Sequence, residues 1–314
     1  MGWPLESFAG RQGGRVSVQI VSGESIRCVL RWEAMVGESP VWHPQEQCLY
    51  WIDIQGKQIH RFYPASGRNE TFNLPEIVTS IALRAAGGLV LTLKKDFALF
   101  DPTTSTLERL AAVECDLPNN RFNDGKCDPQ GRFWAGTMDA VHWSSPAGRL
   151  FRLDANRRIT TMQTDVICSN GSGWSPDGRT MYYTESFRYT IFAYDFDPTT
   201  GSLANRRVFA EVDRKLGAFP DGLCVDAEGY VWSNQVGIGR VVRYDPAGRI
   251  EREVRLPVTR AVGCTFGGED LGTLFITSAR ETMTPEQLQN APLSGSIFAV
   301  EPGVKGRPAT PFDG

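Results

Sequence analysis

This chain of 314 residues lacks the features that mark several large classes of protein. Its seven cysteines contain no C-x-x-C pair, and it has only three histidines, His43, His60 and His142. No segment approaches the roughly 18 consecutive apolar residues that a transmembrane helix needs. The first 20 residues contain no uninterrupted apolar stretch, which argues against a secretory signal. Phosphate-binding glycine loops and the G-x-S-x-G nucleophile elbow of many hydrolases are also missing.

The chain also carries little excess charge of either sign, with a formal net charge of −3 and a pI of about 5.8. A nucleic-acid or anionic-membrane partner is therefore not expected, because such proteins normally present a basic surface. The cysteines are odd in number and widely spaced, which fits reduced and mostly buried thiols. We therefore predict a cytoplasmic protein, while the oligomeric state stays open.

The abundant feature of the sequence is an alternation of two kinds of strand segment. Short runs of Val, Ile, Phe, Tyr and Trp alternate with Gly, Pro, Asp and Asn clusters, which is typical of an all-β chain. A turn followed by a strand (SPDGRTMYYTE from 175) and a strand followed by a turn (YTIFAYDFDPTTG from 189) each recur six times. Their period of about 40 to 50 residues predicts a six-bladed β-propeller around a central channel. A double β-sandwich would not explain the strict alternation.

The repeats also predict the domain boundaries. Residues 16–314 are expected to form a single propeller domain, and residues 1–15 a flexible N-terminal arm. The segment 16–32 contains two strand-like stretches, which are placed to supply a strand to the last blade and so close the ring of blades.

Alignment of the blades identifies one equivalent position at the start of each inner strand. The six residues at this position, here called the axial ring, are Glu38, Ser80, Asn123, Asn170, Asp221 and Cys264. Because the innermost strands of a propeller line its axis, these residues are predicted to meet at one mouth of the channel. Four of the six carry a carboxylate or a carboxamide, more than the usual preference of loop-to-strand junctions for Asn and Asp leads one to expect.

The register also separates three Asp-Gly pairs that look alike in the sequence. Asp177 falls inside a hairpin turn, where Asp-Gly is common. Asp221 belongs to the axial ring, and Asp124 follows the ring position Asn123. Asp221 is therefore expected to have a chemical role that Asp177 does not share.

Oxygen ligands that converge without histidine are typical of a hard divalent cation. Ca²⁺, Mg²⁺ and Mn²⁺ prefer carboxylate, carbonyl and water oxygens. No histidine falls on the axial ring, which counts against a His-rich catalytic zinc. Two carboxylates do not fill the coordination shell of such a cation, so open positions are expected for water or substrate.

Five long motifs resemble the gluconolactonase/regucalcin (senescence marker protein) family over roughly residues 30 to 300. They are GESPVW around Glu38, NNRFNDGKCDPQGRFWAGTM at 119–138, SNGSGWSPDG around Asn170, FPDGLCVDAEGYVW around Asp221, and CTFGGEDLGTLFITSAR at 264–280. The resemblance implies a six-bladed propeller. It also implies one divalent metal ion held by Glu38, Asn170 and Asp221, with calcium, magnesium, manganese, zinc and iron(II) as candidates.

The same resemblance implies roles for the residues beside the metal. Arg121 and Asn123 match the substrate-contacting Arg and Asn of the family, Asp124 belongs to the same substrate-binding motif, and Asp221 matches the candidate general base. Where some relatives carry Glu after the GTM motif, this chain has Asp139 and then His142, whose roles stay open.

The function that these residues predict is a metal-dependent sugar lactonase that opens an aldonolactone to the aldonic acid in sugar catabolism. One alternative is another lactone, ester or phosphotriester hydrolase on the same scaffold, since a scaffold alone does not fix the substrate. The other is a non-enzymatic calcium-binding regulatory propeller. The sequence does not distinguish pentonolactones from hexonolactones, nor five-membered from six-membered rings.

Overall fold

The computed structural model describes residues 18–314, and within them the strands form six separate sheets. The described part begins with β1 (Gln19–Val21) and β2 (Arg27–Leu30). Blade 1 consists of β3 (Gly37–His43), β4 (Cys48–Asp53), β5 (Gln58–Tyr63) and β6 (Arg68–Asn73). Blade 2 consists of β7 (Val78–Leu83), β8 (Leu89–Leu93), β9 (Asp96–Asp101) and β10 (Thr106–Ala112). Blade 3 consists of β11 (Asn120–Cys127), β12 (Phe133–Asp139), β13 (Gly148–Leu153) and β14 (Ile159–Val166).

The second half of the described chain repeats this arrangement. Blade 4 consists of β15 (Ser169–Trp174), β16 (Thr180–Glu185), β17 (Thr190–Phe196) and β18 (Leu203–Glu211). Blade 5 consists of β19 (Phe219–Val225), β20 (Val231–Val236), β21 (Arg240–Tyr244) and β22 (Ile250–Arg255). Blade 6 contains β23 (Ala261–Gly267), β24 (Thr273–Ser278) and β25 (Ile297–Val300). Helix α1 (Pro285–Asn290) and three short 3₁₀ turns (Gly23–Ser25, Ser186–Arg188 and Arg214–Leu216) lie in the connections.

The first strands of the six blades surround a common axis, which confirms the predicted propeller. Each of these strands (β3, β7, β11, β15, β19 and β23) contacts the first strands of both neighbouring blades, so the ring is closed. Within each blade the strands pair antiparallel in chain order. Strand β2 pairs antiparallel with β25 and completes blade 6, as the sequence predicts for one of the two early strands. Strand β1 instead pairs parallel with β22 and adds a fifth strand to blade 5.

The hydrophobic core is divided among the spaces between neighbouring blades. Six buried clusters each combine side chains from two adjacent blades, such as Phe97 and Phe122 between blades 2 and 3. The alternating pattern of the strands therefore buries both faces of most sheets, as a closed ring of blades requires.

In blades 3 and 5 an aspartate stabilises the turn between the first and second strands by the same set of hydrogen bonds. Asp128 accepts hydrogen bonds from two backbone amides of its turn and from Trp134 Nε1, the last at 2.9 Å. Asp226 makes the same three kinds of hydrogen bond two blades later, with Trp232 Nε1 at 2.9 Å. Asp177 also accepts from a turn amide, that of Arg179, which confirms its predicted place in a hairpin turn.

The C-terminal segment, residues 301–314, crosses the mouth of the channel that lies opposite the axial ring. It hydrogen-bonds to the turns of four blades through Leu271, Ala227, Gly131 and Ala85. Its Phe312 is fully buried among side chains of blades 2 and 3. The segment therefore ties several blades together at this face.

The structure tests the prediction about membrane-spanning segments but not the prediction about the N-terminal arm. The predicted arm at residues 1–15 lies outside the described residues, so the boundary at residue 16 stays a prediction. Within residues 18–314, no helix combines the length and the apolar character needed to cross a bilayer.

All seven cysteines lie within residues 18–314, none forms a disulfide, and five of them are buried.

Candidate functional site

Four members of the axial ring meet in one pocket, at the end of the channel where the inner strands begin. Glu38, Asn123, Asn170 and Asp221 line this cavity of about 260 Å³, here called the mouth pocket. They come from blades 1, 3, 4 and 5 respectively. The polar positions that the alignment identified therefore lie together in space.

The other two ring positions do not line the mouth pocket. Ser80 is fully buried and hydrogen-bonds to Thr92 Oγ1 at 2.5 Å. Cys264 lies deeper, with its Sγ 3.6 Å from Cys224 Sγ, and Val262 faces the pocket in its place. The placement of Cys264 on the ring is therefore wrong, because Val262, two residues earlier, holds the equivalent position. The alignment started from Asp270, the third residue of its turn rather than the second, and β23 continues one residue further beyond the ring position than β19 does.

An irregularity in each inner strand turns the site residues toward the pocket. In blades 4 and 5, Asn170 and Asp221 fall between two regularly paired positions, where the register of the strand shifts. Such bulges commonly re-aim a side chain near a functional site. The glycines that follow, Gly171 and Gly222, have no room for a Cβ, which would lie 2.3 Å from Leu223 N and 2.7 Å from Val262 O respectively. Asn-Gly and Asp-Gly thus serve close strand packing here rather than turns.

The carboxyl groups of this region are buried and lie close to one another. Burial, and next the charges of Asp221 and Asp124, hold the pKa of Glu38 well above its usual value. Burial, and next the charge of Asp124, raise the pKa of Asp221 to about 8. Glu38 Oε2 accepts from the amide of Ser39, whereas Asp221 Oδ1 is buried without a hydrogen-bond partner among the described residues.

These oxygen donors fit a hard divalent cation. Asn170 Nδ2 donates to Ser186 Oγ at 3.0 Å, and its Oδ1 accepts from the amide of Gly171 with one lone pair left over. Two repelling carboxylates with an orphaned buried oxygen are the environment that a cation would relieve. Among residues 18–314 no three His, Cys, Asp or Glu side chains converge as a metal group, so the predicted set depends on the carboxamide.

Arg121 and Asn123 form a coupled pair on the inner strand of blade 3. Arg121 Nη1 donates to Asn123 Oδ1 and to the Phe122 carbonyl, both at 2.8 Å. Asn123 Nδ2 in turn donates to the Ser169 carbonyl at 2.8 Å. Both residues line the mouth pocket. Asn123 uses its side-chain oxygen to orient Arg121 and one of its two N–H groups to bind the Ser169 carbonyl.

Asp124 lies on the other side of the ring from the mouth pocket. It lines a second cavity of about 130 Å³ in the channel, together with Lys126, and Glu38 borders both cavities. Burial raises the pKa of Asp124, and the ammonium of Lys126 opposes this effect. The structure thus places Asp124 beneath the predicted metal ligands.

Asp139 ends strand β12 and His142 lies in the loop that follows, beside the mouth pocket, but neither residue lines it. Asp139 accepts from the amides of Val141 and His142 at 2.9 and 2.8 Å, and these bonds lower its pKa. The His142 side chain is 69% exposed and lies 3.3 Å from Asp139. Asp139 therefore shapes the loop, from which Trp143 reaches the pocket.

The mouth pocket also contains residues that sequence reasoning missed. An aromatic wall is formed by Trp143, Phe187 and Phe219, with Trp143 and Phe187 stacked at 5.7 Å between ring centroids. Arg260 also lines the pocket. These residues lie in connections outside the repeated segments or at the first residue of a strand, so the blade alignment gave no signal for them.

Comparison with known proteins decides the family. Residues 36–280 match the family described as SMP-30/Gluconolactonase/LRE-like region. The chain belongs to this family. A 6-deoxy-6-sulfogluconolactonase from Pseudomonas putida is 40% identical over 286 residues, which cover 90% of this chain and 97% of that protein. Regucalcin from Sus scrofa is 38% identical over 302 residues, which cover 94% of this chain and 100% of that protein.

Solved structures of family members have the same fold. A calcium-binding protein, regucalcin, from Agrobacterium tumefaciens has a TM-score of 0.88 at 28% identity, over 94% of this chain and 99% of that chain. A luciferin-regenerating enzyme has a TM-score of 0.84 at 27% identity, over 90% of this chain and 96% of that chain. The predicted family is confirmed, and an enzyme of the sugar lactonase type agrees with both the family and the Pseudomonas relative.

Proposed function

We propose that this chain is a metal-dependent hydrolase that opens a sugar lactone to the aldonic acid. The observation that supports it most is the convergence of Glu38, Asn170 and Asp221 beside the guanidinium of Arg121 in one pocket. The name of the 40% identical Pseudomonas protein supports a sugar lactone as the substrate class. A role in sugar catabolism and a cytoplasmic location belong to the same proposal.

Glu38, Asn170 and Asp221 would hold one divalent cation in this proposal. A bound cation supplies Lewis-acid polarisation of the lactone carbonyl and makes water more acidic. The description of the Agrobacterium relative as calcium-binding supports calcium. Magnesium, manganese, zinc and iron(II) stay candidates, because the metal bound in a cell also depends on availability.

Asp221 is proposed to move the proton. In hydrolysis the water oxygen bonds to the carbonyl carbon, the bond from that carbon to the ring oxygen breaks, and the ring oxygen leaves as a hydroxyl. Asp221 Oδ1 has no hydrogen-bond donor among residues 18–314, so it is available to take the proton from water and return it to the ring oxygen.

Arg121 is proposed to orient the lactone through its remaining N–H groups. The bonds to Asn123 and to the Phe122 carbonyl fix the guanidinium, so little side-chain freedom is lost when substrate binds. Asn123 would contact the sugar with its second N–H. Asp124, beneath the ligands, would support the site through its charge rather than through the sugar.

A panel of aldonolactones, assayed with and without chelator and corrected for spontaneous hydrolysis, tests the function. We expect hydrolysis to disappear with chelator and to return with one of the candidate cations. Asp221→Asn should lower kcat by about 10²- to 10⁴-fold. Asp177→Asn, in the turn Asp-Gly pair, is the matched control and should keep the wild-type rate.

Three outcomes would contradict the proposal. Hydrolysis that survives complete removal of metal would exclude metal dependence. Tight calcium binding without turnover of any lactone would favour the regulatory propeller. Faster turnover of aromatic lactones or phosphotriesters would favour the alternative hydrolase, for which the wall of Trp143, Phe187 and Phe219 offers a binding surface.

A further inference from the structure

A second arginine lines the mouth pocket and takes no part in the proposed hydrolysis. Arg121 lies on β11 of blade 3, whereas Arg260 directly precedes β23 of blade 6. In a closed ring of six blades these two positions face each other across the axis. The aromatic side chains of Trp143, Phe187 and Phe219 form the wall between them. The pocket thus has a cationic group at each of two opposite sides.

In the part of the chain that the structure describes, hydrogen bonds rather than an ion pair hold Arg260 in place. Its guanidinium donates to Thr282 Oγ1, and its carbonyl accepts from the amide of Ala279 at 3.1 Å. No carboxylate of residues 18–314 lies within 4.0 Å of this guanidinium. Thr282 has a φ of 60°, a left-handed conformation that is rare for a β-branched residue and costs free energy. Strain of this kind concentrates at functional sites, and the hydroxyl of this residue accepts the hydrogen bond from Arg260.

The charges around the pocket leave an excess of positive charge once the predicted cation is bound. The pocket is lined by two basic residues, Arg121 and Arg260, and by three acidic ones, Glu38, Asp221 and Glu281. A divalent cation would offset the first two acidic residues. Two guanidinium groups then face the single carboxylate of Glu281, which favours an anionic ligand over a neutral one.

We propose that Arg260, oriented by Thr282, binds an anionic group at the end of the substrate remote from the lactone carbonyl. The carbonyl end lies beside Arg121, and the opposite side of the pocket then receives a carboxylate, phosphate or sulfonate. The planar guanidinium matches such groups with paired hydrogen bonds. Arg260 is thus a specificity-determining residue and Thr282 a positioning residue. This inference rests on the lactonase activity proposed above.

Glucono-1,5-lactone and 6-phosphoglucono-1,5-lactone compare a neutral with an anionic substrate on the metal-loaded protein. We expect a higher kcat/KM for the anionic lactone. In Arg260→Gln the ratio of the two kcat/KM values should fall by about 10- to 100-fold, which is the range for loss of a charge-assisted hydrogen bond. The loss should appear mainly in KM. A glucarolactone, with a carboxylate in place of the phosphate, separates recognition of charge from recognition of phosphate.

A binding experiment gives a readout that does not depend on turnover. Calorimetric titration with 6-phosphogluconate and with gluconate should show the same preference in the wild type and its loss in Arg260→Gln. Arg214→Gln removes an arginine that does not line the pocket and should leave the preference unchanged. Thr282→Val should weaken the preference through KM, and Thr282→Ser, which keeps the hydroxyl, should retain it.

The possible failures are distinguishable. If no lactone is hydrolysed, the proposed function fails. If lactones are hydrolysed but Arg260→Gln reduces both substrates by the same factor, only the role of Arg260 in specificity is overturned. Equal loss of both substrates would mean that Arg260 merely balances the charge of Asp221. A wild-type preference for the neutral lactone would likewise overturn the inference.

Discussion

At the scale of single residues, the decisive feature is the crowding of carboxyl groups around the channel. Glu38 and Asp221 are buried, and Asp124 lies close enough to raise the pKa of both. Buried like charges destabilise a fold unless a cation or a proton compensates them. The same carboxylates that would bind a metal should therefore weaken the metal-free protein.

Asp221→Asn should accordingly have opposite effects in the two states of the protein. In the metal-free protein the substitution removes one repelling charge, so the melting temperature should rise. In the wild type, a cation at 100 times its Kd should add about 2.7 kcal/mol and raise the melting temperature by about 4 °C. The variant should lose most of this gain. Differential scanning calorimetry with and without metal measures both effects.

Asp177→Asn is the control for this measurement, because it changes an Asp-Gly pair that lies in a turn. It should shift the melting temperature equally with and without metal. An Asp221→Asn variant that keeps the full response to metal would remove Asp221 from the ligand set.

The sequence could reveal Glu38, Asn170 and Asp221 because each lies on a repeated strand at a fixed distance from a turn. Arg260, Trp143 and Phe187 could not be found in this way, because they lie in connections whose length differs from blade to blade. Cys264 shows where the distance to a turn fails to identify the ring position. A shift of two residues in the alignment of blade 6 was enough to assign it to a ring position that Val262 holds.

At the scale of the element, strand β5 carries His60, a buried histidine whose protonation would destabilise the folded protein. His60 stacks on Trp51 with ring centroids 3.9 Å apart and meets the edge of Trp32. Its Nδ1 hydrogen-bonds with Thr71 Oγ1 at 3.0 Å, while its Nε2 is buried without a partner among the described residues. Burial lowers the pKa of His60 to about 3.

This strand should therefore lose stability in acid. Between about pH 6.5 and 3 the unfolded chain binds a proton at His60 that the folded chain does not, so the free energy of unfolding falls as the pH falls. The contribution of this group is about 1.4 kcal/mol per pH unit. His60→Phe keeps an aromatic ring without the titration, so urea unfolding between pH 6.5 and 4 should show a shallower slope.

His142→Gln provides the comparison, because it removes a histidine whose side chain is 69% exposed. It should leave the wild-type slope intact. A slope that is the same in His60→Phe and in the wild type would mean that other groups dominate the acid response.

Strand pairing at this scale was only partly predictable. The period of the repeats indicated six blades and an early strand that closes the ring, which β2 confirms. Nothing in the sequence of β1 indicated that it would pair parallel with β22, since three residues carry too little pattern.

At the scale of the whole molecule, the C-terminal segment (residues 301–314) connects several blades through hydrogen bonds and the buried side chain of Phe312. Its last hydrophobic residue, Phe312, follows blade 6 in the sequence but is fully buried between blades 2 and 3. The stability of blades 2 and 3 therefore depends on residues that no repeat contains.

Phe312→Ala should lower the free energy of unfolding by about 3 to 5 kcal/mol, because it leaves a cavity in a packed cluster. Equilibrium unfolding in urea measures this loss. Asp313→Ala changes the exposed neighbour and should stay within about 0.5 kcal/mol of the wild type. A small effect of Phe312→Ala would show that the segment merely lies on the surface.

The closure of blade 6 also has a consequence for how the chain folds. Strand β2 pairs with β25, and beside this pair Trp32 and Ser296 exchange hydrogen bonds across 264 positions of sequence. Contacts this distant are the slow ones to form, because the chain must first lose the entropy of closing a very long loop. A ribosome would have to release nearly the whole chain before the first strands find their partner. Until then β25, the partner of β2, presents an unpaired edge, which makes the interval before ring closure the period of greatest risk of aggregation.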